Sequence, residues 1–155
     1  MAEAVLKQRL AAGEQLLMDG GMGSELERRG IPTTLPLWSA EALFTHPEVV
    51  QQIHEDYLRA GAEIIITNTF RTTKRAFAKK GIADQAASAT ALACTLAHQA
   101  IQNTHPNHEV YIAGSVAPLE DCYSPELTPP QQEIEAEHAE LVPQLKHGDV
   151  DFILL

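Results

Sequence analysis

The run Glu63-Ile64-Ile65-Ile66-Thr67-Asn68-Thr69-Phe70 is a short β-branched segment that passes directly into polar side chains. A run of this kind is typical of a strand buried in a sheet. Similar apolar runs recur along the chain, at residues 16–18, 110–113 and 150–155. Helical patterns separate these runs, so the β/α alternation predicts an α/β fold built on a parallel sheet.

The first long helix is expected to begin in the segment Thr45-His46-Pro47-Glu48. Thr45 and Glu48 have the spacing of a capping box, and Pro47 suits a first helical turn. An apolar stripe follows on one face of this helix, formed by Val49, Val50, Ile53, Tyr57 and Leu58. Gly61 then ends the helix, and we expect the stripe to pack on the sheet.

Two further long helices are expected. The second runs from a cap at Asp84 through an alanine-rich stretch to about Gln102. The third begins at residues 128–131 and ends near Gly148. Pro143 is expected to kink the third helix, because proline removes an intrahelical hydrogen bond.

The connections between these elements are unequal in length. Strand-to-helix links are long, at residues 20–46 and 116–127, whereas helix-to-strand links such as Gly61-Ala62 are short. Long loops in compact domains usually carry function, and in (β/α) barrels the site lies at the carboxyl ends of the strands, where these loops begin. We therefore expect the chemistry at that end. Trp38, within the first long loop, is interpreted as a packing anchor rather than a ligand-stacking residue.

The first strand end carries a carboxylate followed by glycines, in the segment Asp19-Gly20-Gly21. Glycines let a ligand approach the backbone closely, and Asp19 is a candidate to hold an ammonium group through charge-assisted hydrogen bonds. A tight turn in which Asp19 bonds to backbone is the alternative. A dinucleotide-binding loop is rejected, because Leu26 stands where its third glycine would be. Ser24 and Glu27 are expected to cap a short helix here.

Two other strand ends carry polar groups, Thr67-Asn68-Thr69 and Gly114-Ser115. Taken alone, each is equally consistent with ordinary turn and capping chemistry. Three such strand ends together favour a polar ligand site at one end of the sheet.

A zinc site is not predicted among the cysteines and histidines. Cys94 and His98 have helical spacing, but Cys94 lies in an alanine-rich helix and is expected to pack as a small apolar group. His105 and His108 fall in a helix-to-strand link at the opposite end from the expected site. Cys122 lies at the correct end, but a single cysteine does not make a zinc site.

The composition narrows the partners. The formal charge of −10, from 21 acidic and 11 basic residues, argues against nucleic acid and anionic membranes, since both would be repelled. A small-molecule ligand is expected instead. Two cysteines and an N-terminus without a signal-peptide pattern favour the cytoplasm. No apolar run approaches the roughly 20 residues of a membrane helix.

The last apolar run, residues 150–155, coincides with the end of the sequence. A parallel strand needs covering elements on both faces, and an unpaired apolar edge invites association. Residues 1–155 are therefore expected to form the first half of a larger domain, with no second domain.

Several segments in order resemble the N-terminal half of the homocysteine S-methyltransferase family, from Leu16 to Leu155. They are Asp19 to Gly30, Leu37-Trp38-Ser39-Ala40, Asp56 to Ala62, Thr67-Asn68-Thr69-Phe70 and Gly114 to Pro118. The resemblance implies a (β/α)₈ barrel of TIM-barrel type, represented here by about its first four β/α units. It also implies zinc, held by cysteine thiolates, that binds the homocysteine sulfur as a thiolate for methyl transfer to give methionine.

The resemblance implies that the residues that bind the amino-acid part of homocysteine lie within this chain. It implies that Asp19 lies near the substrate ammonium, that Gly20 and Gly21 offer backbone beside the carboxylate, and that Asn68, Thr69 and Ser115 line the mouth. It assigns no catalytic residue and no metal ligand to these residues, because the family's zinc cysteines lie on later strands. Neither Cys94 nor Cys122 matches them, and the family's acid on the fourth strand would follow Leu155.

These departures predict that the 155 residues alone lack zinc and do not transfer a methyl group. The methyl donor stays open between S-methylmethionine and S-adenosylmethionine, which residues 37–40 favour, and the betaine or folate donors of relatives that share the same grip. Two alternatives remain. One is another small-molecule barrel enzyme that uses Asp19 differently. The other is a non-catalytic or self-associating half barrel, a homodimer that pairs its open edges.

Overall fold

The computed structural model describes residues 2–155 as a parallel sheet surrounded by helices. The strands are β1 (Ile64–Ile66), β2 (Tyr111–Ser115) and β3 (Phe152–Leu154). The α-helices are α1 (Ala2–Ala11), α2 (Met22–Arg28), α3 (Ala42–Thr45), α4 (Pro47–Arg59), α5 (Lys74–Ala78), α6 (Ala86–Thr104) and α7 (Gln131–His147). Short 3₁₀ turns lie at Ser39–Glu41, Ala83–Gln85 and Pro125–Leu127.

The strands pair in the order β1-β2-β3, and both pairs are parallel. Ile65 lies opposite Ile112, and Gly114 lies opposite Ile153. A Cβ on Gly114 would come within 3.1 Å of Leu145 and Val150, so glycine permits the close packing of α7 on β2. The predicted β/α alternation is confirmed.

The strand expected at residues 16–18 is reduced to a single parallel bridge between Met18 and Ile64. Leu17 O accepts hydrogen bonds from Glu63 N and Ile64 N, and Asp19 N donates to Ile64 O. The next donor of β1, Ile66 N, bonds to the Asp19 carboxylate rather than to a main-chain carbonyl. The ladder therefore stops where a side chain takes over as acceptor.

The helices α4, α6 and α7 lie where the sequence predicts them, but the predicted caps are wrong. Thr45 is the last residue of α3, and its hydroxyl donates to Glu41 O at 3.1 Å. His46 is the N-cap of α4 and makes no side-chain capping bond. Asp84 lies inside a 3₁₀ turn, so α6 begins two residues later, at Ala86. Pro143 lies within α7.

Two other local predictions are corrected at the N-terminal end. The short helix α2 begins at Met22 with Gly21 as its N-cap and without a side-chain capping bond, so Ser24 and Glu27 do not cap it. Helix α1 was not predicted. It is tied to the sheet by Arg9, whose guanidinium contacts the Glu63 carboxylate at 2.5 Å.

The main core lies between α4 and α6. Val50 and Ile53 of α4 are fully buried in one cluster with Ala89 and Ala93 of α6. Small alanine side chains let the two helix axes approach closely, and this packing holds the helices on one face of the sheet. Among the described residues, no helix combines the length and the apolar character needed to cross a membrane.

Candidate functional site

An open cavity of about 400 Å³ lies at the carboxyl ends of β1 and β2. One wall is backbone, from Gly20, Gly21 and Gly23. Other walls come from the first long loop and the strand ends, with Trp38, Ser39, Asn68, Phe70, Ser115 and Leu154 among the lining residues. Its volume is that of a small-molecule site, and its position agrees with the expected functional end of the sheet.

Asp19 lies directly behind the glycine wall. Its Oδ2 accepts a hydrogen bond from Ile66 N at 2.9 Å, whereas its Oδ1 is buried and has no hydrogen-bond partner. Burial raises the pKa of Asp19 to about 7, and the bond from Ile66 acts in the opposite direction. A buried carboxylate oxygen without a donor lacks the hydrogen bond or positive charge that would offset its burial.

Gly20 is held against α4. A Cβ at this position would lie 2.5 Å from the Tyr57 hydroxyl oxygen and 3.1 Å from Tyr57 Cζ. Any larger residue would therefore force the backbone or the Tyr57 side chain to shift. Gly23, three residues further on, has open space where a Cβ would lie.

Thr67 and Thr69 form a buried hydrogen-bonded ring with Ser115. Ser115 N donates to Thr67 Oγ1 at 3.2 Å, the two threonine hydroxyls are 2.8 Å apart, and Thr69 Oγ1 donates to Ser115 O at 2.8 Å. Each hydroxyl therefore donates once and accepts once, so the ring ties the end of β1 to the end of β2. Thr69 is fully buried and does not line the cavity.

Asn68 is committed to the first long loop. Its Nδ2 donates to Ser39 O at 2.9 Å, and its Oδ1 accepts from the Ser39 hydroxyl at 2.6 Å. These two hydrogen bonds hold Ser39, the residue after Trp38. Trp38 itself has φ 47° and ψ −129°, a strained conformation for a bulky side chain. The result places the Trp38 ring in the cavity wall.

Trp38 belongs to an aromatic group that sequence reasoning did not assign to the site. Its ring stacks on Phe70 at a centroid distance of 5.8 Å and lies 6.2 Å from Tyr123. The Arg71 guanidinium carbon is 4.7 Å from the Trp38 ring centroid. Trp38 therefore packs against other side chains, as predicted, and also lines the cavity. In the sequence, the signal for this aromatic group was Arg71, which follows the polar end of β1 directly.

The six predicted site residues divide into two sets. Gly20, Gly21, Asn68 and Ser115 line the cavity, whereas Asp19 and Thr69 lie behind it. The strand ends do converge. The resemblance implies a ligand contact for each of these residues, and those contacts stay predictions.

Within residues 2–155, no group of three or more histidine, cysteine, aspartate or glutamate side chains is placed to hold a metal. Cys94 is buried, its pKa raised to about 11 by burial, and a Cβ on Gly148 would lie 2.5 Å from its sulfur. Cys122 is exposed in the loop after β2. The donors of these residues therefore do not fit a zinc ion.

The fold and the cavity define a β/α protein with a small-molecule site at the carboxyl ends of its parallel strands. The profile of the homocysteine S-methyltransferase family matches residues 16–155, and the chain belongs to this family.

Individual relatives agree with this assignment. Homocysteine S-methyltransferase of Escherichia coli strain K12 is 36% identical over 119 residues, which cover 73% of this chain and 38% of that protein. Homocysteine S-methyltransferase 2 of Zea mays is 43% identical over 83 residues, which cover 54% of this chain and 24% of that protein. Selenocysteine methyltransferase of Astragalus bisulcatus is 43% identical over 74 residues, 48% of this chain and 22% of that protein.

A solved structure shows the same fold. The metallated form of the homocysteine methyltransferase MmuM from Escherichia coli superposes with a TM-score of 0.80 at 30% identity. The superposition covers 93% of this chain and 54% of MmuM. The chain thus has the TIM-barrel type of α/β fold and spans about half the length of this relative, as the sequence predicts.

Proposed function

We propose that residues 1–155 form the N-terminal half of a homocysteine-binding barrel, and that their cavity holds the amino-acid part of homocysteine during methyl transfer to its sulfur. The observation that carries the proposal is the buried Oδ1 of Asp19, which has no donor within the described chain and lies behind the glycine wall of the cavity. Membership of the homocysteine S-methyltransferase family supports the choice of ligand.

In this proposal Asp19 accepts the substrate ammonium through Oδ1, while Oδ2 stays bonded to Ile66 N. A charge-assisted bond of this kind contributes roughly 1.5–3 kcal/mol. Gly20 and Gly21 offer backbone at the cavity wall for the substrate carboxylate, and Ser115 contributes polar lining at the mouth. The close contact between Gly20 and Tyr57 keeps this backbone in place.

The ammonium also acts on the protonation of Asp19. A neighbouring cation favours the carboxylate, so substrate binding lowers a pKa that stands at about 7 in the free protein. Below that pH, binding releases a proton from Asp19. Affinity therefore rises with pH up to about 7 and then levels off.

The chemical step needs a homocysteine thiolate. A free thiol has a pKa of about 8.5, and zinc in the family supplies the means to deprotonate it at neutral pH. We propose that the zinc ligands lie outside these 155 residues, and that S-methylmethionine or S-adenosylmethionine is the methyl donor. The product would be methionine, and the two free cysteines, Cys94 and Cys122, agree with a reducing, cytoplasmic location.

Calorimetric titration with homocysteine tests the grip. We expect saturable binding to the chain, and at least tenfold weaker binding to Asp19→Asn, because the ammonium loses its charged acceptor. 4-Mercaptobutyrate, which lacks the amino group, is the matched ligand: it should bind both proteins equally weakly. Equal affinity of the two proteins for homocysteine would contradict the assigned role of Asp19.

A second assay separates the grip from the reaction. The 155 residues, incubated with zinc, homocysteine and either donor, should form no methionine. Zinc-dependent methionine formation would show that the thiol is activated within these residues and would overturn this part of the proposal.

Self-association is the second candidate. Phe152, Ile153 and Leu154 of β3 are only half-buried, and the outer edge of β3 has no strand partner among the described residues. An apolar edge of this kind favours pairing with another strand, which a second copy could supply. Light scattering tests it, because a stable, well-folded monomer would exclude the homodimer.

A further inference from the structure

A second cavity, of about 380 Å³, is separate from the cavity proposed to bind homocysteine. The two cavities share no lining residue. Its apolar lining comes from Leu35, Pro36 and Leu127. Its charged lining comes from Arg71, Arg75, Lys79, Glu120 and Asp121.

Arg71 is the unusual member of this lining. The residue is only 6% exposed, and its Nε and Nη2 are buried without a hydrogen-bond partner. Every other arginine makes at least one ion pair within residues 2–155; they are Arg9, Arg28, Arg29, Arg59 and Arg75. A buried guanidinium without an acceptor is costly, and this cost is offset where a ligand supplies the missing anion.

The neighbouring carboxylates are already engaged. Glu120 contacts both Arg75 and Lys79. The two oxygens of Asp121 accept bonds from Tyr123 N and the Ser124 hydroxyl, each at 3.1 Å. Burial lowers the pKa of Arg71, and the charges of Cys122, Asp121 and Glu120 only partly oppose this shift. An anion at Arg71 would thus be attracted by the guanidinium and repelled by the carboxylates of Glu120 and Asp121.

The aromatic rings hold the guanidinium in a fixed position. The Arg71 guanidinium carbon is 4.7 Å from the Trp38 centroid and 5.6 Å from the Phe70 centroid. Stacking of this kind orients the planar fork before any ligand arrives, so little entropy is lost when two parallel hydrogen bonds form.

We propose that Arg71 anchors a second ligand site, in which its guanidinium binds the carboxylate of a small organic acid that enters this cavity. A carboxylate matches the planar fork and carries one negative charge. Inorganic phosphate at neutral pH carries between one and two negative charges, so Glu120 and Asp121 repel it more strongly. The apolar residues Leu35 and Leu127 suit the organic part of such a ligand.

The chain contains a reporter for this site, because Trp38 is its only tryptophan. An anion on the guanidinium changes the electric field at the indole ring and hence its emission. We expect acetate, titrated against chloride at constant ionic strength, to give a saturable change in Trp38 fluorescence. Phosphate should give a response at least tenfold weaker.

Variants locate the response. Arg71→Gln should abolish it. Lys74→Gln is the matched control, because Lys74 lies three residues away, is exposed and pairs with Glu140 outside the cavity at 2.8 Å. This control should titrate as the wild type does. A response that persists in Arg71→Gln, or a phosphate response as strong as that of acetate, would overturn the proposal.

A measurement on the unmodified chain keeps the test independent of whether Arg71→Gln folds. The Nε–H signal of Arg71 in a ¹⁵N–¹H spectrum, assigned by its loss in Arg71→Lys, should shift with acetate and saturate together with the fluorescence. An Arg71 signal that does not move would refute the site. None of these readouts uses homocysteine, so a failure here is separate from a failure of the proposed function.

Discussion

Replacing Asp19 by asparagine should remove a loss of stability that the wild type shows as the pH rises, while it weakens homocysteine binding. The pKa of Asp19 is raised from 3.8 to about 7, chiefly by burial. A carboxyl group with a raised pKa holds its proton more tightly in the folded state than in the unfolded state. The contribution of Asp19 to the free energy of unfolding is therefore fully present below about pH 4 and is lost as the pH rises through about 7.

The size of the effect follows from the shift. A change of about 3 pH units corresponds to about 4 kcal/mol at 1.36 kcal/mol per unit. Partial solvent exposure of Asp19 reduces this to about 2–4 kcal/mol. Asparagine keeps an acceptor for Ile66 N but places an amide N–H where Oδ1 has no partner, which costs about 1–3 kcal/mol at every pH.

The diagnostic quantity is thus the change with pH in the difference between the two proteins. Urea unfolding followed by circular dichroism should show Asp19→Asn gaining about 2–4 kcal/mol on the wild type between about pH 4 and about pH 8. Other titrating groups are common to both proteins and cancel. A difference that stays constant over this range would refute the raised pKa, and with it the proton release expected on substrate binding.

Two further substitutions test the walls of the cavity. Gly20→Ala should cost about 1–3 kcal/mol, because its Cβ meets the Tyr57 hydroxyl; Gly23→Ala, with open space around it, is the control and should be neutral or stabilising in urea unfolding. Thr69→Val should cost about 1–3 kcal/mol in the same assay, since it breaks the ring and leaves Ser115 O without its side-chain donor; an unchanged midpoint would mean that the ring contributes nothing.

Much of the sheet could be predicted from the sequence, because each buried strand needs a continuous apolar run. The runs at residues 63–67 and 150–155 contain β1 and β3, and the run at residues 110–113 contains the first part of β2. The run at residues 16–18 looks the same but forms one bridge, because the carboxylate of Asp19 accepts the bond from Ile66 that a longer strand would take. That choice depends on a contact between residues 47 positions apart, which no local pattern contains.

The helices show the same limit at their ends. Apolar periodicity predicts that a helix exists, whereas a capping box is only one of several local ways to begin it. Thr45 uses its hydroxyl on the preceding turn, at Glu41 O, and Asp84 is absorbed into a 3₁₀ turn. Before α6 the 3₁₀ turn leads directly into the helix, since Gln85 has right-handed helical geometry. Before α4 the chain leaves helical geometry at His46, so α3 and α4 are separate helices, and α4 begins with Pro47 and without a side-chain cap.

For the site, the sequence predicts the location but not the orientation of each side chain. The segments after the three apolar runs do converge on one cavity, although the first contributes glycine backbone to its wall and not the Asp19 side chain. Asn68, however, is bonded at both ends of its amide to Ser39, and Thr69 turns into the sheet. These two residues shape the cavity, because the long loop and the strand ends need hydrogen-bond partners before any ligand binds.

The buried polar atoms that lack partners separate ligand sites from core. His54 is fully buried and neither ring nitrogen has a partner, but its pKa is lowered to about 4, so it is neutral at pH 7 and can remain in an apolar core. Asp19 is about half ionised at that pH, and Arg71 carries a charge, yet neither makes an ion pair within residues 2–155. The acid lies behind a cavity wall and the arginine lines a cavity. An amino acid's ammonium and an organic acid's carboxylate are the complementary groups, which is why the two sites should respond to different ligands.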